Sequence, residues 1–319
     1  MFSSASSHTA NFNRCCAPVN SCCRSYECRR NGGIEELKAK GNVAFRTGQF
    51  EEALQHYSGG IKLAPENYVL YFSRSLAYES LEKYEQALED AKETVKLKPH
   101  SWEGYRRLGN SYGRLGKQEE AIDAYKKGLE CDPKNIKLRV DLGIAASHAG
   151  QFENAIKYQS DAIKLAPEDH KLYFNRSSFY WSLKKYEQAL EDAKKIVELK
   201  PDWWPGYDRM GNAYHGLGKY QEAIDAYKKS LDIQPGSHRV YFNLSLSYSS
   251  LQNYEQALES AKETVKLKPD WGEGTEDWGN LMKVSESTRK LSMLIKKGLR
   301  RGELSNSSVR SSFRYDPCY

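Results

Sequence analysis

The sequence predicts an all-α solenoid of about eight helix-turn-helix repeats. Three observations carry that prediction: segments that return at multiples of 34 residues, small residues that recur in register, and a proline that closes repeat after repeat. Tyr84-Glu-Gln-Ala-Leu-Glu-Asp-Ala-Lys92 returns at Tyr186–Lys194 and, with one change, at Tyr254–Lys262, shifts of 102 and 68 residues. Glu120-Ala-Ile-Asp-Ala-Tyr-Lys-Lys127 recurs at Glu222–Lys229, again 102 later.

A period of 34 sets repeat starts at Ile34, Tyr68, Trp102, Ile136, His170, Trp204 and His238, with a degenerate eighth copy from Gly272. The first helix of each repeat carries a small residue at one site: Gly41, Ser75, Gly109, Gly143, Ser177, Gly211, Ser245 and Gly279. The second helix carries alanine: Ala53, Ala87, Ala121, Ala155, Ala189, Ala223 and Ala257. Small residues at both sites let two helix backbones approach, and Tyr57, Tyr125 and Tyr227 are expected to fill the space left beside them. Pro65, Pro99, Pro133, Pro167, Pro201, Pro235 and Pro269 fall where each second helix must stop, because proline lacks the amide hydrogen and clashes with the preceding turn.

These repeats divide the chain. Residues 1–33 are expected to be a flexible extension; it holds Cys15, Cys16, Cys22, Cys23 and Cys28 at a spacing that matches no paired C-x2-C zinc knuckle. Repeats one to three form a first module, 34–135, and repeats four to six a second, 136–237. Residues 238–304 hold repeat seven and the degenerate eighth, in which Leu291 replaces the small alanine; a terminal copy with no successor serves as a cap. The serine-rich stretch 305–319 loses helical periodicity and reads as a flexible basic tail.

Charge and composition narrow the function classes. The net charge of +6 sits in the ends: residues 1–33 carry +3 and residues 280–319 carry +6, leaving the repeats mildly acidic. A folded face that binds nucleic acid needs massed Lys and Arg, so no nucleic-acid partner is expected. No apolar run reaches the 18 residues of a membrane span and no secretory leader is visible, so the reading is a cytoplasmic protein with no membrane partner. The seven histidines form no H-x-x-x-H pair and no phosphate-cradling glycine loop follows a strand, so neither metal, cofactor nor catalytic residue is assigned.

A 34-residue helical hairpin is the length of the tetratricopeptide repeat, and the chain resembles that family. The resemblance implies a superhelical solenoid whose first helices line an inner groove. More narrowly, Leu37-Lys-Ala-Lys-Gly-Asn42, Tyr71-Phe-Ser-Arg-Ser75 and Lys98-Pro-His-Ser-Trp-Glu-Gly-Tyr-Arg-Arg107 resemble the first module of the heat-shock-organising co-chaperone (Hop) family. The likeness covers 34–135 and recurs more loosely in 136–237. It implies a non-catalytic adaptor that grips the C-terminal Glu-Glu-Val-Asp tail of heat-shock protein 70 or 90 in a carboxylate clamp, where Lys, Arg and Asn donors meet carboxylate oxygens.

Carried over by position, the peptide-binding residues are Lys38, Asn42, Ser73 and Arg107, with Ser73 in place of an Asn and Glu103 in place of a Lys. Glu103 brings a like charge toward an anionic ligand, so a weakened clamp is expected. In the second module the equivalent sites are Val140, Ile144, Asn175, Pro205 and Arg209. Asn175 and Arg209, with Phe174 and Trp181 on the same inner face, are the second-groove candidates, suited to an apolar or extended peptide. The alternative reading is a general assembly scaffold that holds an internal peptide or helix of a partner outside the chaperone system. Asn243 returns at a clamp-type site, but its notional partners Glu273 and Asp277 are acidic, so no third clamp is expected.

Overall fold

A computed structural model describes the backbone of residues 19–268 and side chains within residues 32–268. The degenerate eighth repeat, the C-terminal tail, and Cys15, Cys16 and Cys318 lie outside the described residues. Among the described residues there are fourteen α-helices and no strand. The first helices of successive hairpins are α1 (Val19–Arg46), α3 (Tyr68–Ser80), α5 (Trp102–Arg114), α7 (Ile136–His148), α9 (His170–Ser182), α11 (Trp204–Gly216) and α13 (His238–Ser250). The second helices are α2 (Phe50–Leu63), α4 (Tyr84–Leu97), α6 (Gln118–Cys131), α8 (Phe152–Leu165), α10 (Tyr186–Leu199), α12 (Tyr220–Ile233) and α14 (Tyr254–Leu267). From α3 to α13 every first helix starts at the residue the 34-residue period predicts.

The exception is α1. It begins at Val19 and not at Ile34, so helix runs through much of the extension expected to be flexible, and Cys22, Cys23 and Cys28 lie on it. The sequence contains no breaker there: after Pro18 no proline occurs until Pro65, and the Gly32-Gly33 pair lowers helix propensity without blocking the helical hydrogen bonds.

The described residues fall into two compact units, unit 1 up to Ala145 and unit 2 from Ala146, divided within α7. In unit 1, α1 packs on α2, α3 on α4 and α5 on α6, with α2 against α3 and α4 against α5. In unit 2 the same order holds for α9 with α10, α11 with α12 and α13 with α14, linked through α8 against α9, α10 against α11 and α12 against α13.

Local chemistry sets each boundary. Asn67 and Asp169 accept hydrogen bonds from the amides of Val69 and Lys171, and Ser101 from Gly104, satisfying donors that a helix start leaves open. The C-cap residues of the second helices are Ala64, Lys98, Asp132, Ala166, Lys200 and Gln234, each immediately before a proline. The turn inside each hairpin needs one residue in the left-handed region: Gly48, Gly116, Gly150 and Gly218 supply it, while Glu82 (φ 57°), Lys184 (φ 56°) and Gln252 (φ 61°) adopt it against their preference.

Packing inside the hairpins follows the small-and-bulky pattern. Ala53, Ala87, Ala121, Ala155, Ala189 and Ala223 are buried, as are Ser75, Ser177 and Ser245. A Cβ on Gly41 would stand 2.5 Å from Tyr57 Cε1, and Gly109 and Gly211 are overhung in the same way by Tyr125 and Tyr227. Beside each glycine an asparagine takes the ring hydroxyl: Tyr57 donates to Asn42 Oδ1 at 2.9 Å, Tyr125 to Asn110 at 2.8 Å and Tyr227 to Asn212 at 2.7 Å. A Gly-Asn pair thus receives an aromatic ring flat on the helix and satisfies its buried hydroxyl.

Candidate peptide-binding site

In unit 1 the first helices lie side by side, α1 against α3 and α3 against α5, so Lys38, Asn42, Ser73, Glu103 and Arg107 come from one row of helices. Asn42 is fixed by packing. Its Oδ1 accepts from Tyr57, which leaves the amide nitrogen as its remaining donor. Ser73 also bonds toward the Tyr57 hydroxyl, whose pKa burial raises, so Asn42, Tyr57 and Ser73 form one polar group between α1, α2 and α3. Lys38 reaches back to Glu35 at 2.9 Å, an i,i+3 pair in which Glu35 is exposed; such a pair contributes little and releases its lysine readily.

Arg107 is held differently. Its Nη1 donates to Glu79 Oε2 on α3, and the two side chains are only 12% and 18% exposed. The guanidinium lies 5.4 Å from the centroid of the Phe72 ring, and its Nε is buried without a hydrogen-bond partner. Burial lowers the Arg107 pKa while the Glu79 carboxylate opposes that shift, and the group stays cationic. Arg114 adds a longer contact of 3.7 Å to Glu79. Glu79 was not among the residues singled out from the sequence. Its signal is positional: it lies at the end of α3, on the helix packed next to the one that carries Arg107.

Glu103 is anchored to its own helix. Its Oε2 accepts from the Ser101 hydroxyl at 2.8 Å in the first turn of α5, where negative charge complements the helix dipole. Beside Arg107, Arg106 donates to Asp141 at 2.5 Å, so α5 and α7 are joined inside unit 1 by an ion pair.

Unit 2 repeats part of this arrangement 102 residues later. Arg176 makes a two-bond contact to Asp192 and a third bond to Ser160, as Arg74 does to Asp90 and Ser58. Asp90 and Asp192 have pKa values raised by burial, which the arginine contacts oppose. Arg209 stacks on Phe174 at 4.2 Å from the ring centroid. Phe174 in turn meets Trp203 edge-on at 5.1 Å, and Trp181 packs on Tyr186 at 5.0 Å while staying 37% exposed. The structure therefore brings Arg209 and Phe174 together, sets Asn175 half-buried beside them in sequence, and gives Trp181 a separate contact. Pro205 is buried in the first turn of α11. Val140 and Ile144 belong to unit 1, whereas the second-groove candidates Phe174, Asn175, Trp181 and Arg209 all lie in unit 2.

Profiles of the family described as tetratricopeptide repeat match residues 38–93, 102–135, 124–157, 170–202 and 206–270, which together cover more than half of the chain. The chain is a tetratricopeptide-repeat protein. Among curated relatives, the Hsp70-Hsp90 organizing protein of Triticum aestivum is 56% identical over 50 residues and organizing protein 1 of Glycine max is 54% identical over 50. Each match covers 16% of this chain and 9% of the relative, so the chain spans only a small part of these relatives. Two solved structures share the fold. A tetratricopeptide repeat protein from Parabacteroides merdae has a TM-score of 0.64 at 16% identity, covering 80% of this chain and 99% of that one. The Cut9-Hcn1 hetero-tetramer of the APC/C has a TM-score of 0.58 at 17% identity, covering 80% of this chain and 47% of that one.

Tetratricopeptide repeats are scaffolds for protein–protein interaction, and the helical hairpins of both units are of that kind. Among the described residues no helix is long and apolar enough to cross a membrane, and no group of three or more His, Cys, Asp or Glu could hold a metal ion.

Proposed function

We propose that the chain is a non-catalytic adaptor whose first unit binds the C-terminal Glu-Glu-Val-Asp tail of heat-shock protein 70 or 90 in the cytoplasm. One observation carries the reading: three cation or amide donors, Lys38, Asn42 and Arg107, stand on the row of first helices α1, α3, α5, at the positions that the resemblance implies for a carboxylate clamp. The short but close likeness to the organizing proteins supports the same partner class. Asn42 offers its amide nitrogen because Tyr57 holds the oxygen, Lys38 is released at little cost from an exposed Glu35, and Ser73 adds a hydroxyl. Charge-assisted bonds from these donors would meet the four oxygens of a terminal aspartate.

Glu79 weakens this clamp more than Glu103 does. A ligand carboxylate reaches Arg107 only by displacing a carboxylate already bound there, whereas Glu103 is turned to Ser101. Calorimetric titration of the full chain with a peptide ending in Glu-Glu-Val-Asp tests the proposal. Binding in the micromolar range is expected, lost when the peptide is amidated at its C-terminus and reduced at least tenfold by Lys38→Ala or Arg107→Ala. Absence of heat at high micromolar peptide, or binding indifferent to these changes, overturns it.

A further inference from the structure

Unit 2 keeps the arginine but not its carboxylates: at a shift of 102 Arg107 becomes Arg209, while Arg106, Asp141 and Glu79 become Asp208, Asn243 and Trp181. In unit 1 the row of first helices sets Arg106 against Asp141 and Arg107 against Glu79, with Arg114 at 3.7 Å from the same Glu79 carboxylate. In unit 2 Arg239 is bound to Asp208 at 2.7 Å, and Asp208 is fully buried. Arg209 occupies the position of Arg107 at a shift of 102, and the position of Glu79 is taken by Trp181. Asp208 is the acid that acts on both arginines, so the cluster is left with one surplus positive charge.

Arg209 makes no ion pair or hydrogen bond among the described residues, and its Nε is shut off from water with no acceptor. Burial lowers its pKa, yet a guanidinium does not give up its proton, so the charge persists with no directly bound counter-ion, Asp208 being bound to Arg239. Leaving a mostly buried charge uncompensated is costly, and such a group gains most from an incoming anion. The surroundings suit an apolar flank: Phe174 lies under the guanidinium, Trp203 stands edge-on to Phe174, and the half-buried Asn175 side chain makes no hydrogen bond among the described residues.

We infer that unit 2 binds an internal segment of a partner protein, in which an acidic side chain flanked by apolar residues puts its carboxylate on Arg209. The template is Glu79 itself, a side-chain carboxylate that reaches its arginine beside the Phe72 ring. One surplus charge matches one carboxylate, and the aromatic side chains around Arg209 accept the apolar flanks. This site is independent of the chaperone-tail reading, which concerns unit 1.

The test uses the full chain and two pools of bead-bound heptapeptides, acetylated and amidated so that no terminal charge remains. Their central residue is Glu in one pool and Gln in the other, with flanking positions drawn from Leu, Val, Ile, Phe and Ala. At least tenfold greater retention on the Glu pool is expected, abolished by Arg209→Gln and unchanged by Arg107→Gln. Trp181→Glu supplies the missing carboxylate from within. It should remove the Glu preference and raise the melting temperature, whereas Trp181→Gln should not raise it. Equal retention on the two pools, no retention on either, a preference that persists in folded Trp181→Glu protein, or one that depends on Arg107 overturns the inference.

Discussion

Replacing Glu79 by Gln should weaken the fold and strengthen carboxylate binding at once. The wild-type pair joins α3 to α5 through side chains that are 18% and 12% exposed, so solvent screens it only partly. A hydrogen bond to a charged partner contributes about 1.5–3 kcal/mol, and Gln keeps a neutral acceptor for Arg107, so a loss of about 1–2 kcal/mol of stability is expected. For a ligand the sign reverses. A peptide carboxylate that had to displace Glu79 now meets a cation without a rival, and recovering about 1.4–2.7 kcal/mol corresponds to roughly ten- to a hundredfold tighter binding. Thermal denaturation followed by circular dichroism reads the first quantity, and calorimetry with a Glu-Glu-Val-Asp peptide reads the second. Unchanged or weaker affinity in a folded Glu79→Gln protein would refute the idea that Glu79 competes for Arg107.

Other consequences follow from packing, turns and protonation. Gly211→Ala should destabilise unit 2 by about 1–3 kcal/mol, because a Cβ there stands 2.6 Å from Tyr227 Cδ1 and the ring is pinned through its hydroxyl to Asn212; chemical denaturation measures it. Lys184→Gly should stabilise by about 0.5–1 kcal/mol, since φ is 56° and glycine already occupies the equivalent turn position at Gly48, Gly116, Gly150 and Gly218; the same denaturation assay applies, and a loss of stability would contradict it. His215 is buried against Ser247 and Tyr220, and burial lowers its pKa below 6.5, so the folded state favours the neutral ring. Its contribution is complete above pH 6.5 and is lost as the pH falls toward the depressed value, so melting temperature should drop between pH 6.5 and 5 with a slope that His215→Gln flattens.

The period, the small sites and the prolines were enough to read the starts of the six first helices α3, α5, α7, α9, α11 and α13, because each is a local rule repeated without interruption. The upstream start of α1 was not legible from periodicity: residues 19–33 belong to no repeat, and helix there depends on the absence of a breaker. The left-handed turn residues show in the sequence as four glycines in register, but Glu82, Lys184 and Gln252 conceal the same backbone demand behind ordinary side chains. In the site, position-by-position reading names Lys38, Asn42, Ser73 and Arg107 yet cannot tell an available donor from an occupied one. That depends on contacts across neighbouring helices, such as Arg107 with Glu79 at a separation of 28 residues. For the proposed clamp the like charge to reckon with is accordingly Glu79, since Glu103 is held by Ser101.

Availability also decides which substitutions can report on binding. Asn42 has the same bond to a tyrosine as Asn110 and Asn212, so packing alone accounts for an asparagine at that place whether or not a ligand exists. Asn42→Ala would take the Asn42 acceptor from the Tyr57 hydroxyl, 2% exposed as a residue, and any fall in affinity would be mixed with a loss of stability. Lys38 and Arg209 are free of this difficulty: one has an exposed partner that water replaces, and the other makes no polar bond that its removal would break. Lys38→Ala and Arg209→Gln are therefore the substitutions that report on binding while breaking the fewest hydrogen bonds of the fold, and each interrogates a different unit.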